Sequence, residues 1–216
     1  SLSYAIREVN PTRVIIVYDG AGGSQRRRKI LPDYKSQRKP GKRITRWDAF
    51  KNVEEEKQAM KIQFSRLLEY LDTLPINVIS IDKIEADDTI AYIAHKLLDK
   101  EVTIMSSDQD FLQLVDDRIT VWSPTKKKFY TPRMVMDDYG VPAHNFLMYK
   151  TLMGDKSDNI KGVNGVGIKT IESKMKFLTE SNLSLDTFIE KCSSECDDKL
   201  SEKLKNNLDT INMNYG

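Results

Sequence analysis

Three carboxylates in four positions, Glu85, Asp87 and Asp88 around Ala86, stand where an amphipathic helix begins. The apolar residues Ile90, Ala91, Ile93, Ala94, Leu97 and Leu98 follow with helical spacing. Acids in a first turn complement the helix dipole, so one reading is an acidic N-cap. The other is a cradle for a hard divalent cation. Side chains at i, i+2 and i+3 can fan toward a point beyond the helix end, and such cations take oxygen ligands. The two readings are compatible. Acids recur at three other places: Asp19, the pair Asp108 and Asp110, and the pair Asp155 and Asp158.

Those acids sit at the ends of recognisable elements. Val14 to Tyr18 is a continuous apolar run, the mark of a parallel strand covered on both faces, and Asp19 follows it with Gly20, Gly22 and Gly23. Val78 to Ile81 reads as a second strand leading into Glu85. Val102 to Met105 reads as a third, leading through Asp108 and Asp110 into a helix over Phe111 to Val115. Open α/β sheets place ligands at strand carboxyl ends, so the first three acidic groups are expected to share one sheet edge. Strands near Ile119 to Trp122 and Phe129 to Tyr130 continue the pattern. Helices are expected over residues 2–9, from Asp48 as cap to Leu74 before Pro75, and around Phe146 to Met153.

The chain has 216 residues, 39% of them hydrophobic, enough for a sizeable core. Its net charge of +2 conceals segregation: Arg26 to Arg46 holds ten Lys or Arg and one acid, Asp33. Pro32, Pro40 and Gly41 argue against one long helix there. The segment suits phosphate contacts, or is a solvated basic run. Tyr34 and Trp47 within it can stack on bases or anchor the loop to the core. Further on, Gly162, Gly165 and Gly167 open a helix that begins near Ile171, beside Lys161, Lys169 and Lys174. Backbone N–H groups in such a turn bind phosphate oxygens, although glycine turns also merely connect helices. The rest of the chain reads as helical.

No other chemistry competes. His95 and His144 are isolated, and Cys192 and Cys196, without metal-ligand neighbours, read as reduced thiols. No apolar run is long enough to span a membrane. Carboxylates at this density repel one another unless cations join them. Two metals about 4 Å apart can generate a hydroxide and stabilise the leaving oxygen of a phosphodiester. Acidic edge, basic segment and glycine turn together point to metal-dependent phosphodiester hydrolysis.

The ordered set Val17-Tyr18-Asp19, Glu85-Ala86-Asp87-Asp88, Ser107-Asp108-Gln109-Asp110, Gly154-Asp155-Lys156-Ser157-Asp158-Asn159 and Gly162-Val163-Asn164-Gly165-Val166-Gly167 resembles the 5′-nuclease family. That family includes phage 5′–3′ exonucleases, the 5′-nuclease domain of bacterial DNA polymerase I, and flap endonucleases; the phage and bacterial branch is the nearest in pattern. The resemblance implies an α/β fold: a PIN-like, mostly parallel sheet flanked by helices over residues 1–142, with 24–47 as arch or clamp. It implies a helix–three-turn–helix module over 143–216. It implies Mg²⁺ or Mn²⁺ held in one set by Asp19, Glu85, Asp87 and Asp88, and in a second by Asp108, Asp110, Asp155 and Asp158. Lys35 and Arg38 match arch residues that assist at the scissile phosphate, and Arg27 matches an upstream arch arginine. Gly162, Gly165, Gly167 and Lys169 fall in the module that grips duplex backbone, in relatives through a K⁺ ion.

The expected activity is structure-specific 5′–3′ exonuclease or flap endonuclease cleavage of DNA, or of RNA primers in an RNA/DNA hybrid. The expected location is the cytoplasm of a bacterial or phage-infected cell. The family's opening strand, with its metal-binding Asp, has no counterpart here. That leaves three explanations: a fragment, a monomer whose site has decayed, or a chain completed by a second polypeptide. Two rivals follow. One is a DNA-structure-binding module without catalysis; the other is a PIN-type ribonuclease, which would not need the glycine turn.

Overall fold

The computed structural model describes residues 2–37, 50–97 and 99–215. The expectations at Arg38, Trp47, Asp48 and Leu98 lie outside these residues. The described residues fall into two compact units, one drawn from Ser1–Arg26 and Arg38–Thr89, the other from Arg27–Gln37 and Ile90–Gly216.

The first unit holds helix α1 (Leu2–Val9), strand β1 (Ile15–Tyr18), helix α3 (Val53–Asp72) and strand β2 (Asn77–Ser80); helix α2 (Gln25–Ile30) begins at its edge. β1 and β2 pair in parallel, from Ile15 opposite Asn77 to Tyr18 opposite Ser80. All four β1 residues are half-buried and β2 is mostly exposed. The apolar run from Val14 therefore overstates burial: it makes a sheet strand, but not one covered on both faces. α3 starts after Asn52, whose side chain accepts from the Glu55 N–H at 2.8 Å, while the Glu55 carboxylate accepts from the Lys51 N–H at 2.7 Å. This reciprocal capping, with Glu54 to Glu56 in the first turn, favours the helix start. Phe64 of α3 meets the Tyr18 ring edge-on at 5.2 Å. Met60, Leu67 and Leu68 of the same stripe stay exposed, and Leu71 is buried.

The second unit carries the main core. β3 (Val102–Met105) pairs in parallel with β4 (Ile119–Ser123), and β4 in antiparallel with β5 (Lys128–Tyr130). Among the described residues, β1 and β2 pair in one sheet and β3, β4 and β5 in another. The stretch after Ala86 is not one helix. α4 (Ala86–Tyr92) gives way to a π turn over Ile93–Leu97. The helix expected at Phe111 to Val115 is a 3₁₀ segment, Gln109–Leu114.

Helix α5 (Pro132–Tyr139) was not expected. Its signals are local: Thr131 caps the Met134 N–H, Pro132 opens the first turn, and Gly140 closes the helix at φ +70°. Beyond it, α6 (Phe146–Met153) is almost wholly buried. Phe146 stacks on Tyr149 at 5.3 Å and meets Tyr139 edge-on at 5.1 Å. A short hairpin of β6 (Gly154–Asp155) and β7 (Ile160–Lys161) leads to α7 (Ile168–Lys174). Helices α8 (Leu185–Glu195), α9 (Asp198–Lys205) and α10 (Leu208–Tyr215) complete the unit around Ile171, Phe177, Phe188 and Ile211. Cys192 and Cys196 are free thiols, and burial pushes both above their ordinary pKa. Among the described residues no helix is long and apolar enough to cross a membrane.

Candidate active site

In the first unit, β1 delivers Asp19 and the turn after β2 delivers the Glu85 group. The loop between them is tight. Gly20 donates to the Ile84 carbonyl at 3.0 Å, and a Cβ there would lie 1.7 Å from the Ile81 oxygen, so only glycine fits. The close approach brings Asp19 to the start of α4, where its Oδ1 accepts from the Ala86 N–H at 2.8 Å. Asp19 therefore supplies the helix cap that the sequence assigned to the helix's own acids. Asp87 accepts from the neighbouring Asp88 N–H at 2.9 Å. Glu85 is buried, Asp87 half-buried, and Asp19 and Asp88 exposed.

In the second unit, Asp108 caps the 3₁₀ turn through the Asp110 N–H at 2.9 Å. Lys150 of α6 then reaches Asp110 Oδ1 at 3.0 Å and Asp155 Oδ2 at 2.5 Å. The other oxygen of Asp155 accepts from the Ser157 N–H at 2.7 Å, the Ser157 hydroxyl at 2.6 Å and the Asp158 N–H at 3.3 Å. Burial alone would raise the Asp155 pKa, but the bonds from Lys150 and Ser157 outweigh it and hold it at about 2. Burial wins at Asp110, helped by Asp108 and Asp155 and opposed by Lys150, so its carboxyl is pushed up. Lys150 is itself held above its ordinary range: burial works against its charge, but Asp155 and Asp110 outweigh that.

Among the described residues, no group of three or more His, Cys, Asp or Glu side chains is gathered closely enough to hold a metal ion. The eight carboxylates expected to hold divalent ions lie in two places: Asp19, Glu85, Asp87 and Asp88 in the first unit, and Asp108, Asp110, Asp155 and Asp158 in the second. Asp19, Asp87, Asp108 and Asp155 each accept from a local N–H donor. The donor chemistry still fits a hard divalent cation. All eight groups are carboxylates, and Asp110 and Asp155 already converge on one cationic centre, the Lys150 ammonium. Lys150 was missed in the sequence, although it is the one charged residue in the otherwise apolar helix Phe-Leu-Met-Tyr-Lys-Thr-Leu-Met.

The described part of the basic segment is pinned beside the second acidic loop. Lys35 donates its N–H to the Asp158 carbonyl at 3.0 Å, and Asn159 Nδ2 donates to the Asp33 carbonyl at 3.3 Å. The Tyr34 ring is buried, with the Lys35 ammonium 4.7 Å from its centre. Of the two readings for Tyr34, this placement favours the anchor over the base-stacking platform, because a buried ring offers no face to a base. Arg27 is half-buried in α2.

In the glycine turn, Gly165 sits at φ +73° within a turn closed by Val166 N–H on the Val163 carbonyl at 3.1 Å. Gly162 is required for packing: a Cβ there would lie 2.3 Å from the Met153 carbonyl carbon. Gly167 precedes α7 with nothing within 4 Å of its Cβ position. Lys169 and Lys161 are exposed, and Lys174 pairs with Asp197 at 2.7 Å.

Similarity to known proteins agrees with these elements over the whole chain. It is 35% identical over 166 residues to a 5′-3′ exonuclease of Buchnera aphidicola, covering 76% of this chain and 52% of that one. It is 33% identical to the Aquifex aeolicus 5′-3′ exonuclease, covering 79% of this chain and 54% of that one. The chain thus spans about half the length of these curated relatives. Among solved structures, the bacteriophage T5 D15 protein co-crystallised with metal ions superposes with a TM-score of 0.74 at 24% identity, over 99% of this chain and 78% of that one. The two share a fold. Residues 1–140 match the description "5′-3′ exonuclease, N-terminal resolvase-like domain" and residues 141–216 match "5′-3′ exonuclease, C-terminal SAM fold". From end to end, therefore, the chain belongs to the 5′-3′ exonuclease family.

Proposed function

We propose that this chain forms the core of a divalent-metal-dependent, structure-specific 5′–3′ nuclease that hydrolyses phosphodiester bonds of DNA, with RNA primers as a second substrate class. The observation that carries the reading is the convergence of Asp110 and Asp155 on one cationic centre, in a chain whose two halves match the two domains of one nuclease family. Asp19, Glu85, Asp87 and Asp88 form one set of carboxylates suited to Mg²⁺ or Mn²⁺, and Asp108, Asp110, Asp155 and Asp158 the other. The chemistry a divalent ion supplies there is a lowered pKa for water and neutralised charge on the phosphate. Lys35 and Arg38 steady the scissile phosphate, and Arg27, earlier in the arch, is a further DNA contact. Residues 143–216 hold the duplex through the N–H groups near Gly165 and Gly167 and through Lys169, with K⁺ as a candidate ion at that turn. Residues 1–142 form the nuclease core, acting in the bacterial or phage-infected cytoplasm on DNA with 5′ single-stranded flaps or ends.

The test is cleavage of a labelled 5′-flap substrate with Mg²⁺. Asp87→Ala and Asp108→Ala should each abolish it, and unchanged cleavage in either variant contradicts the assignment. The rival reading is a DNA-structure-binding module without turnover. Flap binding in Ca²⁺ without turnover in Mg²⁺ or Mn²⁺ would select that reading.

A further inference from the structure

We infer that Lys150 is a positioning residue. It stands between Asp110 and Asp155 as an internal counter-cation that a divalent ion must displace in order to take both carboxylates. The inference rests on the metal-dependent reading above and concerns how that site is regulated.

The geometry carries it. Lys150 is the single charge in α6, a helix whose Phe146, Met148, Tyr149, Thr151 and Leu152 are all buried. A half-buried ammonium there is costly unless paired. Its side chain is only 17% exposed, and both of its partners are carboxylates. Asp155 is fixed from the other side, because its second oxygen is occupied by Ser157 and the Asp158 N–H. The oxygen left to a ligand is the one that Lys150 holds. Asp110 likewise offers Lys150 its Oδ1. A cation that binds both Asp110 and Asp155 through these oxygens therefore arrives where the ammonium already is.

Two consequences follow. The lysine keeps two repelling carboxylates together, so the acidic loop is shaped ahead of ion binding. It also lowers ion affinity, since a charge-assisted bond must be broken for each ion taken up. An ion pair with a purely structural role would produce only the first effect.

Binding of Mn²⁺ to chelator-stripped protein, followed by electron paramagnetic resonance of the free ion, separates these cases. Asp155→Asn identifies the site in the parent protein. Lys150→Met and Lys150→Gln should bind Mn²⁺ at that site about tenfold more tightly, the scale of one charge-assisted hydrogen bond. Lys150→Arg, which keeps the charge, should bind no more tightly than the parent. Both neutral variants should melt lower than the parent in chelator and recover with Mn²⁺. If Lys150→Met does not fold without the ion, Lys150→Gln, which retains a donor, supplies the isotherm. Unchanged or weaker binding in the neutral variants, at a site that Asp155→Asn removes from the parent, overturns the inference and leaves the metal reading intact. A parent with no Asp155-dependent binding overturns the metal reading, and this inference with it.

Discussion

The main-chain N–H of Lys35 donates to the carbonyl oxygen of Asp158 at 3.0 Å, tying the basic segment to the acidic loop. The bond is made with Lys35 in a left-handed conformation, φ +56°, and Asn159 next to its partner is left-handed too, φ +62°. A non-glycine residue held there costs about 1 kcal/mol. Lys35→Gly should therefore be about 1 kcal/mol more stable than Lys35→Ala, since only glycine is relieved of that cost. Both should lose flap cleavage alike, because both lack the ammonium. Thermal melts beside flap assays check this; equal melting of the two variants would contradict the left-handed placement.

Asp155 predicts a pH dependence of stability. Its folded pKa of about 2 lies below the ordinary carboxylate value. A depressed acid stabilises the fold above its unfolded pKa, and that contribution is lost as the pH falls through the folded value. The loss should run from about pH 4 to about pH 2 and amount to roughly 2 kcal/mol. Asp110, pushed up by burial, works in the opposite sense, so the comparison with Asp155→Asn isolates the effect. Denaturation series in chelator should show a steeper acid loss in the parent than in Asp155→Asn; parallel curves would remove Lys150 and Ser157 as the stabilising partners.

The glycine turn separates packing from recognition. Gly162→Ala would force a Cβ to within 2.3 Å of the Met153 backbone, which must shift, and should cost roughly 2–4 kcal/mol. Gly167→Ala meets nothing within 4 Å and should leave the stability within about 0.5 kcal/mol of the parent. If the turn grips duplex backbone, Gly167→Ala weakens flap binding while folding normally. Normal binding by that variant would confine the turn to a connecting role.

Strand positions were legible because apolar runs bounded by Gly, Pro or acids have no good alternative: β1 to β5 lie within a residue or two of their expected places. Strand partners were not, because which strands become neighbours depends on contacts that no single strand's sequence records. Asp108 as the cap of the 3₁₀ turn involves only neighbours in the chain. Asp19 as the cap of α4 was not legible, since 67 positions separate it from Ala86 and only the close approach at Gly20 joins them. Tyr34 left two readings open because an aromatic in a basic segment serves either role; burial decided between them. Lys150 escaped notice because a lone lysine in an apolar helix ordinarily extends to solvent. Only the fold shows that two carboxylates meet it first.

Salt dependence tests the electrostatic share of DNA binding. The segment from Arg26 to Arg46 concentrates ten basic residues in a chain of net charge +2, so any phosphate contacts it makes are local. Each neutralised phosphate of a single strand adds about 0.7 to the slope of log affinity against log salt. Lys35 bonds to the acidic loop at Asp158, and Arg27 is half-buried in α2. Removing either charge should flatten the slope for a 5′-flap substrate in Ca²⁺ by about one contact, with fluorescence anisotropy as the readout. A blunt duplex, which presents no single strand, should show little change with the same variants. If the slope is flat in the parent protein, or if the variants alter duplex and flap binding equally, the basic segment is a solvated surface and the strand runs elsewhere.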